Sequence, residues 1–173
     1  RYTDGEMMTA DSIHLPDSLK YRTLVSKRVV YGGGGIIPDV FVAADTSYNT
    51  LYFRKLAGKN VLNSFTLEYF DRNRTSLTSR YKNFEDFRKN FQLTIEDINT
   101  FIAKGEAEGV KYDEGQYNIS KEEIMLILNG LIASNLWQIS EYYQIVNQND
   151  KVISKALQII SDKNSYNSIL GYK

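Results

Sequence analysis

Residues 120–132, SKEEIMLILNGLI, contain the clearest structural signal in the chain. Ser120 and Glu123 have the spacing of a capping box, in which the side chain of each residue accepts a hydrogen bond from the backbone amide of the other. Apolar residues then recur three and four positions apart, as in a helix with one buried face: Ile124, Ile127, Leu128, Leu131 and Ile132. We therefore expect a long helix that begins at Ser120. Its apolar pattern extends through Leu136, Trp137, Ile139, Tyr142, Tyr143 and Val146.

The same apolar repeat occurs on both sides of this segment. Upstream, it predicts a helix that ends at Gly58 and a second one that carries Val61, Leu62, Phe65, Tyr69 and Phe70. Asn83 precedes a short predicted helix, and Thr94 with Asp97 resembles the N-terminal cap of another. Downstream, a last helix is predicted to carry Val152, Ala156, Leu157, Ile159 and Ile160, and we expect residues beyond Lys163 to fray.

Ahead of the helices, the chain is rich in residues that favour strands. Tyr21–Val25 and Arg28–Tyr31 flank Ser26-Lys27, which predicts a hairpin, and Val40–Ala43 predicts a third short strand with Pro38 at its beginning or on an edge. The expected fold class is α+β and mainly α, with a short β-hairpin and third strand followed by a helical bundle. We expect a β-rich segment at residues 1–45 and a helical domain at residues 46–173.

Composition excludes several classes of function. The 21 basic and 21 acidic side chains cancel without forming blocks of like charge, which argues against a nucleic-acid partner or an anionic membrane. The chain has no cysteine and therefore no disulfide framework or thiolate zinc site. It also lacks the run of about 20 apolar residues that spans a bilayer. Because it opens at Arg1 and not at methionine, we expect a piece of a longer chain.

The four glycines at 32–35 are the only low-complexity stretch, and such loops can bind phosphates through bare backbone amides. A dinucleotide fingerprint that starts at Gly32 needs glycine at the position of Ile37, and Pro38 follows where a helix should begin. We therefore expect a structural turn and no cofactor.

Candidate catalytic and metal-binding residues are few. His14, the only histidine, lies in the polar lead-in between Asp11 and Asp17. The acidic pairs Glu85/Asp86, Glu96/Asp97 and Glu122/Glu123 sit near predicted helix starts, where they favour the helix dipole. The sequence thus indicates no catalytic residue and no metal site. Of its 13 tyrosines and 8 phenylalanines, Phe65, Tyr69, Tyr142 and Tyr143 have the spacing of a helical core.

The stretch from Leu19 to Val42, followed by Asp45-Thr46, resembles the segment after the catalytic core of S41-family tail-specific (C-terminal processing) serine peptidases. The specific part is YGGGGIIPD, in which Tyr31, Gly32, Gly33, Gly34, Gly35, Ile36, Pro38 and Asp39 form the family-motif turn. A Gly-Arg pair commonly precedes the glycines in that family, whereas this chain has Lys27-Arg28. Asp11-Ser12-Ile13 and Asp17-Ser18-Leu19 resemble the linker of these enzymes.

The resemblance implies a parent enzyme with a PDZ-type domain and a serine–lysine dyad, cleaving protein substrates near their carboxy termini in the periplasm or cell envelope. Those catalytic motifs lie upstream and match no position here. We therefore expect a non-catalytic C-terminal domain that docks on the upstream catalytic and PDZ-type domains, with helices that serve as a scaffold or homo-oligomerisation surface. Two alternatives stay open. One is a stand-alone helical interaction module with an exposed apolar groove, and the other is an enzyme with a perturbed carboxylate or lysine in a deep pocket.

Overall fold

The computed structural model of the protein describes residues 16–32 and 37–172, and these ranges contain two strands and eight α-helices. A 3-10 turn at Asp17–Leu19 precedes β1 (Lys20–Arg22) and β2 (Val29–Tyr31), which pair antiparallel. The helices are α1 (Leu51–Gly58), α2 (Val61–Arg80), α3 (Phe84–Asn90), α4 (Ile95–Ala107), α5 (Glu114–Leu136), α6 (Ile139–Val146), α7 (Lys151–Ser161) and α8 (Lys163–Leu170). The predicted class, mainly helical with a short N-terminal hairpin, is confirmed.

The chain divides into two compact units. One, which we call the helical unit, is Thr46–Asn149 and contains α1 to α6. The other, which we call the hairpin unit, comprises Arg1–Asp45 and Asp150–Lys173 and contains β1, β2, α7 and α8. No helix in the described ranges is long and apolar enough to cross a membrane.

The core of the helical unit forms around α5, which packs against α1, α2 and α6. Aromatic rings fill much of this core: the ring centroid of Phe65 lies 5.4 Å from that of Phe101, and the rings of Phe87 and Phe91 stack at 4.4 Å. Phe65 and Tyr69 are buried as predicted. Tyr143, however, is 54% exposed, because α6 buries Ile145 and thereby turns the side chain two positions earlier outwards.

The predicted start of the long helix at Ser120 is wrong. The helix α5 begins at Glu114, with Asp113 as its N-cap, and the Asp113 carboxylate accepts a hydrogen bond of 2.9 Å from the Gln116 amide. Ser120 is fully buried inside the helix, where its hydroxyl donates to the backbone carbonyl of Tyr48 at 2.7 Å. A long-range partner therefore takes the hydroxyl that the local pattern assigned to a cap.

The predicted continuation of this helix to Val146 is also wrong. The helix ends at Leu136, Trp137 leaves the helical conformation, and α6 starts at Ile139 and packs back on α5. The close approach of the two helices occurs at Gly130, where a Cβ would lie 2.9 Å from Cδ2 of Tyr142. Because α6 folds back, the apolar faces of α5 and α6 bury each other, which they could not do in one straight helix.

Two further expectations need correction, while several caps are confirmed. Val40–Ala43 forms no strand, because the described ranges offer it no hydrogen-bonded partner strand. Residues beyond Lys163 form α8, which Asp162 caps by accepting from the Asn164 amide. The short helix predicted after Asn83 is present, and the Asn83 side chain caps it by accepting from the Asp86 amide. The cap predicted at Thr94 is also present, since Thr94 and Asp97 form a capping box. Gly58 was predicted to cap the first helix, and it is the last helical residue, with Lys59 as the C-cap.

Candidate docking surface around the β-hairpin

The hairpin is short and its loop is longer than the sequence predicts. Lys20 pairs with Tyr31, and Arg22 pairs with Val29, so that residues 23–28 form the connection. The Thr23 hydroxyl accepts a hydrogen bond of 3.0 Å from the Arg28 amide, and Lys27 takes a left-handed conformation with φ 55°. The expected two-residue turn at Ser26-Lys27 is therefore wrong, because neither residue is a glycine or asparagine that favours such a turn.

Apolar side chains at the tip and face of the hairpin are exposed. Leu24 is 89% exposed and Val25 is 85% exposed, and the ring of Tyr21 on β1 also lies mostly in solvent. The sheet has only these two strands, so each strand has an outer edge with no neighbouring strand in the described ranges. Among its described residues, the hairpin unit contains no buried side chain. The described part of this unit therefore has apolar surface and strand edges but no buried core.

The stretch predicted to form the motif turn begins at Tyr31, the last residue of β2. The Gly32 amide donates to the Leu19 carbonyl at 2.8 Å and extends the strand pairing by one bond. A Cβ at Gly32 would lie 2.7 Å from Cε2 of Tyr21, so glycine permits this close approach. Gly33, Gly34, Gly35 and Ile36 lie outside the described residues.

An ion pair joins the end of the motif to the loop before β2. The Arg28 guanidinium, ahead of β2, donates to the carboxylate of Asp39, which follows the glycine run and Pro38. Together with Val29, Val30, Tyr31, Ile37 and Pro38, these two residues line a concave pocket of about 320 Å³. The sequence placed Tyr31, Pro38 and Asp39 in one turn, but it gave no signal that Arg28 is the partner of Asp39.

A second ion pair fixes the start of β1. The Lys20 ammonium donates to the Asp17 carboxylate at 2.9 Å, and this hydrogen bond raises the pKa of Lys20 above its ordinary value. The same ammonium lies 5.9 Å from the centre of the Tyr31 ring, within reach of a cation–π interaction. Lys20 thus connects the 3-10 turn, β1 and the first residue of the motif.

The other part of the hairpin unit exposes one face of a helix. Val152, Leu157 and Ile160 on α7 are all more than half exposed, and we call them the α7 apolar face. The helix packs against α8, and the Lys151 ammonium donates to the Asp45 carboxylate at 2.6 Å. Apolar surface therefore occurs in both segments that make up this unit.

No catalytic constellation emerges from the residues that the sequence singled out. His14 lies outside the described residues. Glu85/Asp86 and Glu96/Asp97 occupy the first turns of α3 and α4, as predicted, whereas Glu122/Glu123 lie inside α5. Within the described ranges, no three residues among histidine, cysteine, aspartate and glutamate come close enough together to hold a metal ion.

Comparison with known families finds a match in the helical unit. The model of a family of unknown function, DUF8443, matches residues 52–138, which is just over half of the chain. The chain belongs to the DUF8443 family. The DUF8443 range runs from α1 to the residue before α6 and contains every buried residue of the described ranges except Ile145. It does not include the hairpin or the stretch from Tyr31 to Asp39.

Two other comparisons give no relatives. No curated protein matches the chain, and no solved structure matches it. Membership of DUF8443 therefore identifies the helical core but supplies no activity.

Proposed function

We propose that this chain is the carboxy-terminal, non-catalytic region of a C-terminal processing serine endopeptidase, and that its hairpin docks on the catalytic core of the same enzyme. Hydrolysis of protein substrates would be the work of a serine–lysine dyad upstream, in the periplasm or cell envelope. The sequence support is the run from Tyr31 to Asp39, whose pattern resembles the segment that follows the catalytic core in S41 peptidases.

The observation that carries the docking proposal is the exposure of Leu24 and Val25 on a hairpin whose two edges have no neighbouring strand in the described ranges. A two-stranded hairpin alone is marginally stable in water, and three or more strands or a packed face are needed for independent stability. Unpaired strand edges also offer amides and carbonyls to another strand. A sheet edge of an adjacent domain would satisfy both requirements.

The energy available from docking is large compared with the stability of a hairpin. Full burial of one valine or leucine side chain stabilises by about 1.5–3 kcal/mol. Leu24 and Val25 are close to fully exposed in this chain, so nearly all of that contribution is still available to a partner. The α7 apolar face adds further surface in the same unit.

The motif turn supports a positioning role without chemistry. The Arg28–Asp39 ion pair joins the loop before β2 to the end of the motif, and Gly32 lets the backbone pass close to Tyr21. The pocket beside β2 has the size for one or two side chains of a docked domain. In this account, the hairpin holds the core in place and the helical unit presents a rigid scaffold.

A second candidate function is a stand-alone interaction module, which is favoured by the α7 apolar face. Its side chains lie three to five positions apart on a short helix and are more than half exposed. Such a stripe suits a groove on another protein. This reading gives no role to the glycine motif, and we rank it second for that reason.

The test compares the 173-residue chain with the full natural chain that contains it. Both are incubated with an unstructured protein substrate and with a serine-directed active-site probe. The proposal predicts that only the longer chain cleaves the substrate and takes up the label. Cleavage and labelling by the 173-residue chain would overturn it, because its own residues would then hold a site. Inactivity of both chains would favour the interaction module.

A further inference from the structure

The helical unit contains a cavity that neither the family match nor the proposed function assigns. Its volume is about 330 Å³, near the lower limit of small-molecule sites and equivalent to about ten water molecules. It is lined by the first residues of α1, by the loop before α5 and by the first turn of α5: Leu51, Tyr52, Lys55, Lys111, Tyr112, Asp113 and Gln116.

The polar groups of the cavity fall into two sets. Asp113 and Gln116 bond to each other, since the Asp113 carboxylate accepts from both the amide and the side-chain nitrogen of Gln116. The side-chain oxygen of Gln116 in turn accepts from the Tyr52 amide at 2.8 Å. Lys55 and Lys111, by contrast, form no ion pair with any described residue. The lining therefore presents two free ammonium groups and one carboxylate that is already engaged.

Two rings of a tyrosine cluster, those of Tyr52 and Tyr112, line the cavity. The rings of Tyr52, Tyr112 and Tyr117 lie edge to face or tilted, with centroids 5.7–6.4 Å apart. Tyr52 is only 2% exposed, and its hydroxyl has no hydrogen-bond partner among the described residues. The buried Tyr117 hydroxyl has none there either. Both hydroxyl oxygens are buried, so the aromatic rings of Tyr52 and Tyr112, and not the hydroxyls, form this side of the cavity.

We propose that this cavity binds a small carboxylate that carries an apolar side group, of the size of one blocked amino acid. Its carboxylate would face the ammonium groups of Lys55 and Lys111, and its side group would contact Leu51 and the tyrosine rings. The free acid and the terminal residue of a peptide share this chemistry. The inference depends only on the helical unit and stands apart from the proposed peptidase role.

The test is an NMR titration of the 173-residue chain with N-acetyl-L-leucine, its neutral analogue N-acetyl-L-leucinamide, and inorganic phosphate. We expect saturable shifts at the amides of Tyr52, Tyr112 and Gln116, with a Kd on the order of 1 mM for the acid. The amide should bind about fivefold more weakly or worse, because it lacks the charge. A tripeptide that ends in leucine with a free carboxylate should bind more tightly than the blocked amino acid if the source is a peptide terminus, and more weakly if it is a free acid.

Charge-neutral variants locate the binding. Lys55→Gln and Lys111→Gln should each weaken the binding of the acid about two- to fivefold. Lys121→Gln, an exposed lysine on α5 outside the cavity, is the matched control and should have no effect. The proposal is overturned if the acid and the amide bind equally, if phosphate binds as well as the acid, or if Lys121→Gln weakens binding as much as Lys111→Gln.

Discussion

The hydroxyl oxygens of Thr50 and Ser120 lie 2.7 Å apart, although seventy positions separate the two residues in the chain. Ser120 donates its proton to the Tyr48 carbonyl, so Thr50 must be the donor to Ser120. The Thr50 oxygen also accepts from the Phe53 amide and thereby caps α1. One chain of hydrogen bonds thus fixes the start of α1 against the middle of α5.

This relationship predicts that Ser120→Ala destabilises the helical unit by about 1–2 kcal/mol, because the Thr50 hydroxyl loses its acceptor and the Tyr48 carbonyl keeps only the Thr50 amide of its two donors. Chemical denaturation with circular dichroism at 222 nm measures the change. Ser76→Ala on the exposed face of α2 is the matched control and should stay within about 0.5 kcal/mol. Equal effects of the two variants would show that the Ser120 bond contributes nothing.

Alanine substitutions at two glycines should have opposite effects on stability. Gly130 lies at the contact between α5 and α6, and Gly58 lies at the open end of α1. Gly130→Ala places a Cβ within 2.9 Å of the Tyr142 ring and 3.2 Å of Val146, and we expect a loss of about 1–3 kcal/mol. Gly58→Ala meets no atom within 4 Å at the end of α1, and should stabilise by about 0.5–1 kcal/mol. Thermal unfolding of both variants measures the difference, and a stabilised Gly130→Ala would mean that α6 packs elsewhere.

Two buried tyrosines predict a loss of stability at high pH. Burial raises the pKa of Tyr52 and of Tyr69 to about 12, whereas an unfolded tyrosine ionises near pH 10. Between these values the unfolded chain releases protons that the folded chain keeps, so the free energy of unfolding falls as the pH rises from about 10 to 12. Denaturant titrations at several pH values should show this decline. The decline should be smaller in Tyr69→Phe. If the free energy of unfolding of that variant fell with pH as steeply as that of the unmodified chain, Tyr69 would not contribute to the decline.

The capping box of α4 predicts a local effect. Thr94→Ala removes the hydroxyl that accepts from the Asp97 amide, and should cost about 1 kcal/mol of stability. Hydrogen exchange should quicken first at the amides of the first turn of α4. Thr75→Ala, an exposed threonine inside α2, serves as the comparison and should leave the exchange at α4 unaltered.

Local patterns predicted those features that depend on neighbours in sequence. Thr94 with Asp97 and Ser120 with Glu123 have a similar spacing, yet only the first pair forms a capping box. The difference lies in Ser120, whose hydroxyl meets Thr50 and Tyr48 from a distant part of the chain. Because Asp113 can also cap, α5 starts earlier and still buries Ile124 and Leu128.

The candidate site was predictable only in part for the same reason. The sequence predicted a turn from Tyr31 to Asp39, of which residues 33–36 lie outside the described residues. It could not show that Arg28 pairs with Asp39, or that Leu24 and Val25 are left exposed, because both depend on how the loop 23–28 folds. The cavity between α1 and α5 is likewise lined by residues that are far apart in sequence, such as Leu51 and Gln116, and no local pattern connects them.

Docking of the hairpin is tested most directly by the rate at which the full natural chain hydrolyses an unstructured protein after Leu24→Asp and Val25→Asp are introduced together. Burying two carboxylates in place of apolar groups should lower the rate at least about tenfold. Leu67→Asp, at an exposed leucine of α2, is the control and should change the rate less than about twofold. An unaltered rate in the hairpin variant, or no hydrolysis by the unmodified chain, would show that the hairpin does not dock on a catalytic core.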